Sequence, residues 1–407
     1  MTQSVVVQVG QCGNQVGCRF WDLALREHAH VNKRGIYDEA LSSFFQNVDP
    51  RRSDGAGGGA PGSRISALRA RVSSTTEPLS YRWTGSGLGT RVLKLLEDEF
   101  PDVCRLVTAV YPSAEDDVIT SPYNSVLAMR ELTEHADCVL PVENQSLVDI
   151  VSKIQHMAHS GKPGSAIKKD CTIISGQGGV SRTEKPFDAM NNIVANLLLN
   201  ITSSARFEGS LNVDLNEIAM NLVPFPRLHY LVSSLTPLYT LADVNIPTRR
   251  LDQMFTDAFS KDHQLMRADP KHSLYLACAL MLRGNVQLSD LRRNIERLRP
   301  TLSFVQWNNE GWKTGLCSVP PVGHSHSLLA LANNSCVKSS FAELRERFVK
   351  IYRKKAHLHH YLGVDGMEVG GFNEALSSLS ALIDEYSQLD STRTAPTQDP
   401  PRLNIAT

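Results

Sequence analysis

Two glycine-rich segments have a composition that lets the backbone bind a phosphate group. Residues 10–17 (GQCGNQVG) directly follow the apolar segment 4–9, and residues 84–90 (TGSGLGT) precede a second stretch of helix type. Free N–H groups and the positive dipole at a helix N-terminus attract anions, and glycine permits close approach of the ligand. One such segment is a weak signal, because many glycine turns are only structural. Two of them in one part of the chain favour a nucleotide site.

Two carboxylates have a spacing that could activate a water molecule. Asp214 and Glu217 stand three residues apart, so on a helix they would share one face. A carboxylate can orient a water molecule and accept its proton. A solvated helical turn explains the same spacing and is the simpler interpretation for an isolated pair. The spacing alone therefore leaves both interpretations open.

The cysteines and histidines give no metal-binding pattern. The chain has eight cysteines and no Cys-x-x-Cys pair, which argues against a zinc site and a disulfide framework, so we expect reduced thiols. His357 and His360 would lie one helical turn apart, but they follow a run of three cationic residues. Two ligands next to such a run are too few for zinc. No metal site is predicted.

Charge and hydropathy argue against two classes of partner. The 407 residues include 42 basic and 42 acidic side chains, so no overall field attracts nucleic acid or a membrane surface. No apolar run approaches the roughly 20 residues that cross a bilayer, and no signal peptide is evident. We expect a cytoplasmic protein that binds neither nucleic acid nor membrane. Its length is sufficient for two or three domains.

The order of elements that must position these residues predicts an α/β protein. An apolar strand at residues 4–9, a glycine loop and a helix form the start of a parallel α/β unit, and further strands are predicted at residues 105–111 and 138–142. Apolar residues fill nearly all faces of a helix at about residues 185–204, which we expect to be buried between two domains.

A second α/β domain and a helical part are predicted to follow. The segments of strand type are residues 227–233, 273–283 and 302–307, and they alternate with a helical stretch at residues 250–261. Two amphipathic helices are predicted at residues 341–361 and 372–389. The predicted division is residues 1–206, 207–339 and 340–390, with a disordered tail at 391–407. Residues 49–83, rich in glycine, serine and arginine, have the composition of a linker inside the first domain.

The two glycine segments together resemble the phosphate loops of the tubulin family. Further blocks that match the family follow in the same order along the chain, as far as about residue 389: residues 121–124, 143–146, 211–217, 221–227 and 353–356. Residues 20–25 and the histidine-rich residues 356–360 are similar to the epsilon branch of the family. The resemblance implies a parallel-sheet GTP-binding domain, a central helix, a second α/β domain and a C-terminal helical hairpin.

The resemblance also implies roles for individual residues. The residues implied to bind the phosphates, ribose or base of GTP or GDP are Gly10, Gln11, Cys12, Gln15, Gly85, Ser86, Gly87, Asn144, Phe187 and Asn191. Among them, Phe187 would stack on the guanine and Asn191 would hydrogen-bond it. Without the family, ordinary core packing is the better interpretation of Phe187.

Asp214 and Glu217 acquire a specific role from the same resemblance. They would act on the nucleotide of a neighbouring subunit, with Mg²⁺ neutralising the departing phosphate, so the chain is at most a GTPase completed by its neighbour. The implied partners are other tubulins in head-to-tail contact, with delta-tubulin as a candidate, and centriolar proteins. The implied location is the cytoskeleton, at the centrosome, the centriole or the basal body.

One departure from the family pattern supports an alternative. The stretch between Cys12 and Gly85 is shorter than in complete tubulins and would lack a strand, a helix and the acidic loop that helps to hold Mg²⁺. Tyr81, Arg82 and Trp83 replace the leading glycines of the second loop. This shortening favours a tubulin-like binding module that neither polymerises nor binds nucleotide, and it predicts an exposed apolar sheet edge.

Overall fold

The computed structural model describes residues 4–31, 46–47, 65–66, 85–112, 118–160, 187–238, 250–270 and 273–391. The tail after residue 391 and, except for residues 65–66, the linker-like segment 49–83 lie outside the described residues. The described part has mixed helices and sheets, and the predicted α/β class is confirmed. None of the described helices is long and apolar enough to cross a membrane.

The first part of the fold consists of helices around a short parallel sheet. Strands β3 (Leu106–Tyr111) and β4 (Cys138–Glu143) pair in parallel, and a two-residue ribbon pairs β1 (Gln46–Asn47) with β2 (Ile65–Ser66). Among the described residues, nothing pairs with the second edge of β3. The helices are α1 (Gly10–Val31), α2 (Ser86–Glu99), α3 (Ser121–His135), α4 (Asn144–Ser160), α5 (Asp188–Ile201) and α6 (Ser203–Arg206).

The strand predicted at residues 4–9 is wrong. These residues have no strand assignment, and Val5 and Val7 are 78% and 39% exposed. A parallel strand is buried by its neighbours, and no described strand pairs with this segment. The segment instead contacts α1, where the Gln8 side chain lies so close to Gly17 that a Cβ there would meet Gln8 Cδ at 2.0 Å.

The second part is a four-stranded mixed sheet in the order β5-β8-β6-β7. Strands β6 and β7 are parallel, and β8 is antiparallel to both of its neighbours. The predicted strand at residues 302–307 is wrong, because only Phe304 forms a bridge, with Tyr275, before a 3-10 turn. The elements are α7 (Leu215–Leu222), β5 (Leu231–Thr236), α8 (Leu251–Ala258), β6 (Tyr275–Gly284), α9 (Leu288–Leu298), β7 (Trp312–Cys317) and β8 (His326–Asn334).

The C-terminal helices pack against α3 through aromatic residues. They are α10 (Val337–Arg353), α11 (His359–Leu362) and α12 (Val369–Ser391). The fully buried ring of Tyr123 contacts the rings of Phe348 and Phe372 edge to face, both at 5.4 Å between centroids. The predicted helix at residues 341–361 is wrong in its last part, because α10 ends at Arg353 and His357 has a left-handed φ of 58°.

The central helix is confirmed as a buried element. In α5 only Asp188, Ala189 and Leu198 are not buried. Its asparagines stay satisfied in this environment, since Asn200 Nδ2 donates to the Asn196 carbonyl at 2.7 Å. The hydroxyl of Ser327 in β8 also donates to Asn200 Oδ1 at 2.7 Å. Apolar residues of α4, α5 and the second sheet share one hydrophobic cluster, so α5 lies between the two parts.

Candidate functional site

The starts of α1 and α2 are in backbone contact. Both preceding turns end in a left-handed glycine, with φ 74° at Gly10 and 120° at Gly85. A Cβ placed on Gly85 would lie 2.7 Å from Gly10 Cα, so no other residue fits this contact without a shift. The structure therefore brings the two predicted phosphate segments together. Within residues 10–17 the chain is already helical, so the predicted turn is reduced to Gly10.

The first turns of both helices suit an anion. The first N–H groups of a helix have no partner inside the helix, and here they belong to exposed or half-buried residues. Neither first turn contains an acidic residue that would repel a phosphate. Ser86 and Gly87 are exposed, and a Cβ on Gly87 would meet no atom within 4 Å among the residues that the structure describes. As far as these residues are concerned, a ligand has room above the start of α2.

The other predicted residues of α1 divide into exposed and half-buried ones. Gln11 and Gln15 are exposed and lie one helical turn apart. Cys12 is half-buried against the hydrophobic cluster that contains α4 and α5, and burial raises the pKa of its thiol. The Cys12 side chain is therefore uncharged at neutral pH and does not repel a nearby phosphate.

Helix α5 places Phe187 and Asn191 at the same end of the molecule as Gly10. Arg19 Nε of α1 donates to Asn192 Oδ1 at 2.5 Å, and further along both segments Glu27 is paired with Arg206 at 2.7 Å. Because these contacts advance together along the chain, α1 and α5 are parallel and their N-terminal ends lie together.

Phe187 and Asn191 differ in exposure. Phe187 immediately precedes α5, is 38% exposed and has a φ of 75°, which is rare for a bulky residue. Its carbonyl accepts the Asn191 N–H at 2.8 Å, and Asn191 itself is buried. Phe187 is therefore a partly exposed aromatic residue directly beside the helix start.

Asn144 lies at the junction of β4 and α4. It is the first residue of α4, directly after the last residue of β4, and it is half-buried. The carboxyl ends of parallel strands form the crevice where α/β proteins bind ligands. The first turn of α4 also contains no acidic residue.

Asp214 and Glu217 do not lie with the predicted nucleotide-binding residues. Asp214 caps α7, accepting the Leu215 N–H at 2.6 Å, and Glu217 is in the first turn of the same helix. Glu217, 40% exposed, forms an ion pair with Lys313 Nζ of β7 at 2.9 Å. Both residues come after the C-terminal end of α5, whereas Phe187 lies before its start. The helix between these two ends spans about 21 Å.

Two features of the site were missed by sequence reasoning. Glu217 lies on helix α7 and its partner Lys313 on strand β7, and no local sequence signal indicates this contact. The same holds for Arg19, whose partner Asn192 is 173 residues away. In the part of the chain that the structure describes, no group of three or more His, Cys, Asp or Glu side chains is placed to hold a metal ion.

Comparisons with known proteins identify the family. Residues 83–152 match the family model "Tubulin/FtsZ family, GTPase domain", and residues 226–346 match "Tubulin C-terminal domain". The chain is 63% identical to the tubulin epsilon chain of Mus musculus and 62% identical to that of Homo sapiens, each over 100% of both chains. It is 28% identical to the tubulin beta-2 chain of Suillus bovinus, over 95% of this chain and 96% of that one.

The alignments with the two epsilon chains also bear on length. They extend over 475 positions, more than the 407 residues of this chain, so the chain lacks residues that those relatives have. The matches confirm the resemblance to tubulins and to their epsilon branch, and the chain belongs to the tubulin family.

Proposed function

We propose that this cytoskeletal protein binds GTP or GDP at the joined starts of α1 and α2 and assembles head to tail with other tubulins. The observation that carries the proposal is the contact between Gly10 and Gly85, which places the N-terminal ends of α1 and α2 side by side, and a helix N-terminus attracts phosphate. The match to a GTPase-domain family model supports the same ligand class.

The residues around this contact fit the parts of a nucleotide. The backbone of Gly10, Gln11, Cys12, Gly85, Ser86 and Gly87, with the amide of Gln15, would hold the phosphates. Asn144, at the start of α4, would contact the ribose or the edge of the base. Phe187, a partly exposed residue, would stack on guanine, and Asn191 would hydrogen-bond the base from the same helix start.

The proposal assigns hydrolysis to a contact between subunits. Glu217 lies beyond the far end of α5 from the nucleotide residues, so within one chain it is poorly placed to act on the bound ligand. In a head-to-tail assembly it would orient the water that attacks a neighbour's GTP, while Asp214 fixes the start of α7. Mg²⁺, if bound with GTP, would neutralise phosphate charge.

The proposed partners and location rest on the similarity to tubulin epsilon chains. The relatives at 62–63% identity are named tubulin epsilon chain, and the proposed location of this chain is the centrosome and its centrioles, or the basal body. Other tubulins, with delta-tubulin as the first candidate, and centriolar proteins are the proposed partners.

A second function is favoured by the length of the chain. The epsilon chains have residues that this chain lacks, and the match to the GTPase-domain model begins at residue 83. If the missing residues include those that close over the phosphates, the chain is a tubulin-like binding module that docks a partner without nucleotide and does not polymerise.

A titration of the purified full chain with fluorescent GTP separates the two functions. The first predicts saturable binding that unlabelled GTP and GDP compete and ATP does not. The second predicts no binding by a chain whose circular dichroism shows it to be folded. Co-assembly with another tubulin then tests the role of Glu217: GTP turnover that is unchanged in Glu217→Gln, with normal assembly, would falsify the proposed role in trans.

A further inference from the structure

A basic surface lies between α10 and α12, far along the chain from the nucleotide residues. Six exposed residues form it: Arg353, Lys354, Lys355, His357, His359 and His360. Among the described residues, none of the three cations forms an ion pair with a carboxylate. Such a run stands out in a chain whose basic and acidic residues are equal in number.

The backbone at this basic surface takes a conformation that favours glycine. Helix α10 ends with two hydrogen bonds, from the Lys355 N–H to the Tyr352 carbonyl at 2.9 Å and from the Ala356 N–H to the Ile351 carbonyl at 3.2 Å. In this type of helix end the residue after the cap is left-handed and is usually glycine. Here it is Lys355, with φ 49°.

A second left-handed residue lies two positions further along the chain. His357 has φ 58°, so two of the three residues 355–357 have a conformation that is strained for any residue other than glycine. Strain of this kind persists only where the surroundings enforce it, and it is often found at binding sites. Replacing Lys355 with glycine would relieve the strain but would remove a charge from the surface.

Contacts with the protein interior hold this segment in place, and they fix the positions of its charges. The Leu358 side chain is buried, the Tyr123 hydroxyl donates to the Ala356 carbonyl at 3.0 Å, and the Tyr361 hydroxyl donates to Asn124 Oδ1 at 2.7 Å. These contacts join the segment to α3, while the basic side chains point outward. A pre-organised surface loses less entropy when it binds a partner.

Apolar residues adjoin the basic surface and define the partner further. Leu362 and Val364 are 40% and 62% exposed. The acidic residues of the following loop are Asp365 and Glu368, which set the far limit of the positive region. A partner that matches this arrangement has several carboxylates followed by apolar side chains.

We infer that this basic surface binds an acidic peptide segment of another protein, with carboxylates on Arg353, Lys354 and Lys355 and apolar side chains on Leu362 and Val364. A peptide fits better than a nucleic acid, because the exposed apolar side chains of Leu362 and Val364 adjoin the cations and match the apolar side chains of a peptide. The inference is independent of the proposed nucleotide site.

Fluorescence anisotropy of the full chain with a labelled peptide of glutamates and leucines tests the inference. The variant Lys354→Glu/Lys355→Glu is expected to weaken binding about ten-fold, because two attractions become repulsions. The variant Lys354→Arg/Lys355→Arg keeps the charge and is expected to bind like the wild type. The matched control Lys94→Glu/Lys261→Glu changes two exposed lysines elsewhere and is expected to have no effect.

The results that would overturn the inference are specific. Equal losses in the charge-reversal variant and its control would mean that only overall charge matters. Tighter binding of an RNA of equal charge, lost with Lys354→Glu/Lys355→Glu, would assign the surface to nucleic acid. If that variant does not fold, Lys355→Gly keeps the fold, and wild-type peptide affinity in Lys354→Gln/Lys355→Gly would also contradict the inference.

Discussion

Gly87→Ala is the sharpest test of the nucleotide site, because the structure separates its effect on binding from its effect on folding. Gly87 is the second residue of α2, it is exposed, and an added Cβ would meet no atom of the described residues within 4 Å. The substitution therefore causes no clash with the described part of the chain. Gly85 does not allow the same experiment, since its left-handed φ and its contact with Gly10 would disturb the fold.

The expected effect of Gly87→Ala on stability is a small gain. Alanine restricts the unfolded chain more than glycine, which raises the free energy of unfolding by about 0.4–1 kcal/mol where the native backbone accepts it. Gly370 provides a matched control, because it is the second residue of α12 and a Cβ there would also meet no atom within 4 Å. Both substitutions are expected to give similar gains in urea unfolding without nucleotide.

The expected effect on GTP binding is a loss that only Gly87→Ala shows. If a phosphate lies above the start of α2, the new methyl group occupies the space that the phosphate needs. Losing one hydrogen bond to a charged group costs about 1.5–3 kcal/mol, which corresponds to a decrease in affinity of roughly ten- to 150-fold. Gly370→Ala is expected to retain the affinity of the wild type.

Titration with fluorescent GTP, performed on the wild type and both variants, measures this difference. The reasoning is refuted if Gly87→Ala binds GTP with wild-type affinity while showing the stability gain of the control. That result would mean that the open space above Gly87 is not where the phosphates lie. A loss of stability in Gly87→Ala would contradict the geometry of α2 itself.

Three further predictions concern stability and the ion pair of Glu217. Glu27→Ala removes the carboxylate that pairs with the buried Arg206 and Arg283. It is expected to lower the free energy of unfolding by about 3–5 kcal/mol in urea titrations, and a loss below about 1 kcal/mol would contradict this. Burial, then the nearby arginines, lower the pKa of His28 to about 4, so stability is expected to fall by up to about 3 kcal/mol as pH decreases from 6.5 towards 4, and His28→Gln should flatten that slope. Lys313→Met is expected to change stability by less than about 1 kcal/mol, because its pair with Glu217 is half-exposed, and to raise GTP turnover in co-assembly; unchanged turnover would mean that Lys313 does not restrain Glu217.

The sequence predicted those features that depend on local pattern. The helical spacing of apolar residues located α5, and the structure confirms its burial. The two glycine-rich segments located the starts of α1 and α2, since both starts have a left-handed glycine. That the two starts touch depends on packing across the chain, and only the resemblance to a family implied it.

Features that depend on distant partners could not be predicted. The apolar residues 4–9 satisfy the pattern of a buried strand, but a strand also needs neighbours, and none of the described strands pairs with it. Helix α9 has three arginines and two acids among only four apolar residues, and it is not among the helices predicted from the sequence. Strand β8 contains an apolar run of five residues, 328–332, between polar ones, a pattern that does not distinguish a strand from a short buried helix.

The least predictable feature is a buried ion cluster that joins the two parts of the fold. Glu27 of α1 lies between Arg206 and Arg283, at 2.7 and 2.8 Å. Burial raises the pKa of Glu27, but the two arginines outweigh it and hold that pKa below its usual value. Charged residues are normally expected at the surface, so the sequence gives no reason to bury these three.

This cluster changes the meaning of the boundary predicted at residues 206 and 207. Boundaries between independent domains usually fall in exposed linkers that few contacts cross. Here the boundary residue, Arg206, is fully buried, and it is bound to α1 on one side while Arg283 of β6 binds the same carboxylate from the other. The hydrophobic cluster around α5 also includes residues of β5, β6 and β8. Because one core and one ion cluster cross the boundary, the two parts must fold together, and the orientation of α1, whose first turn carries the predicted nucleotide residues, depends on the second sheet.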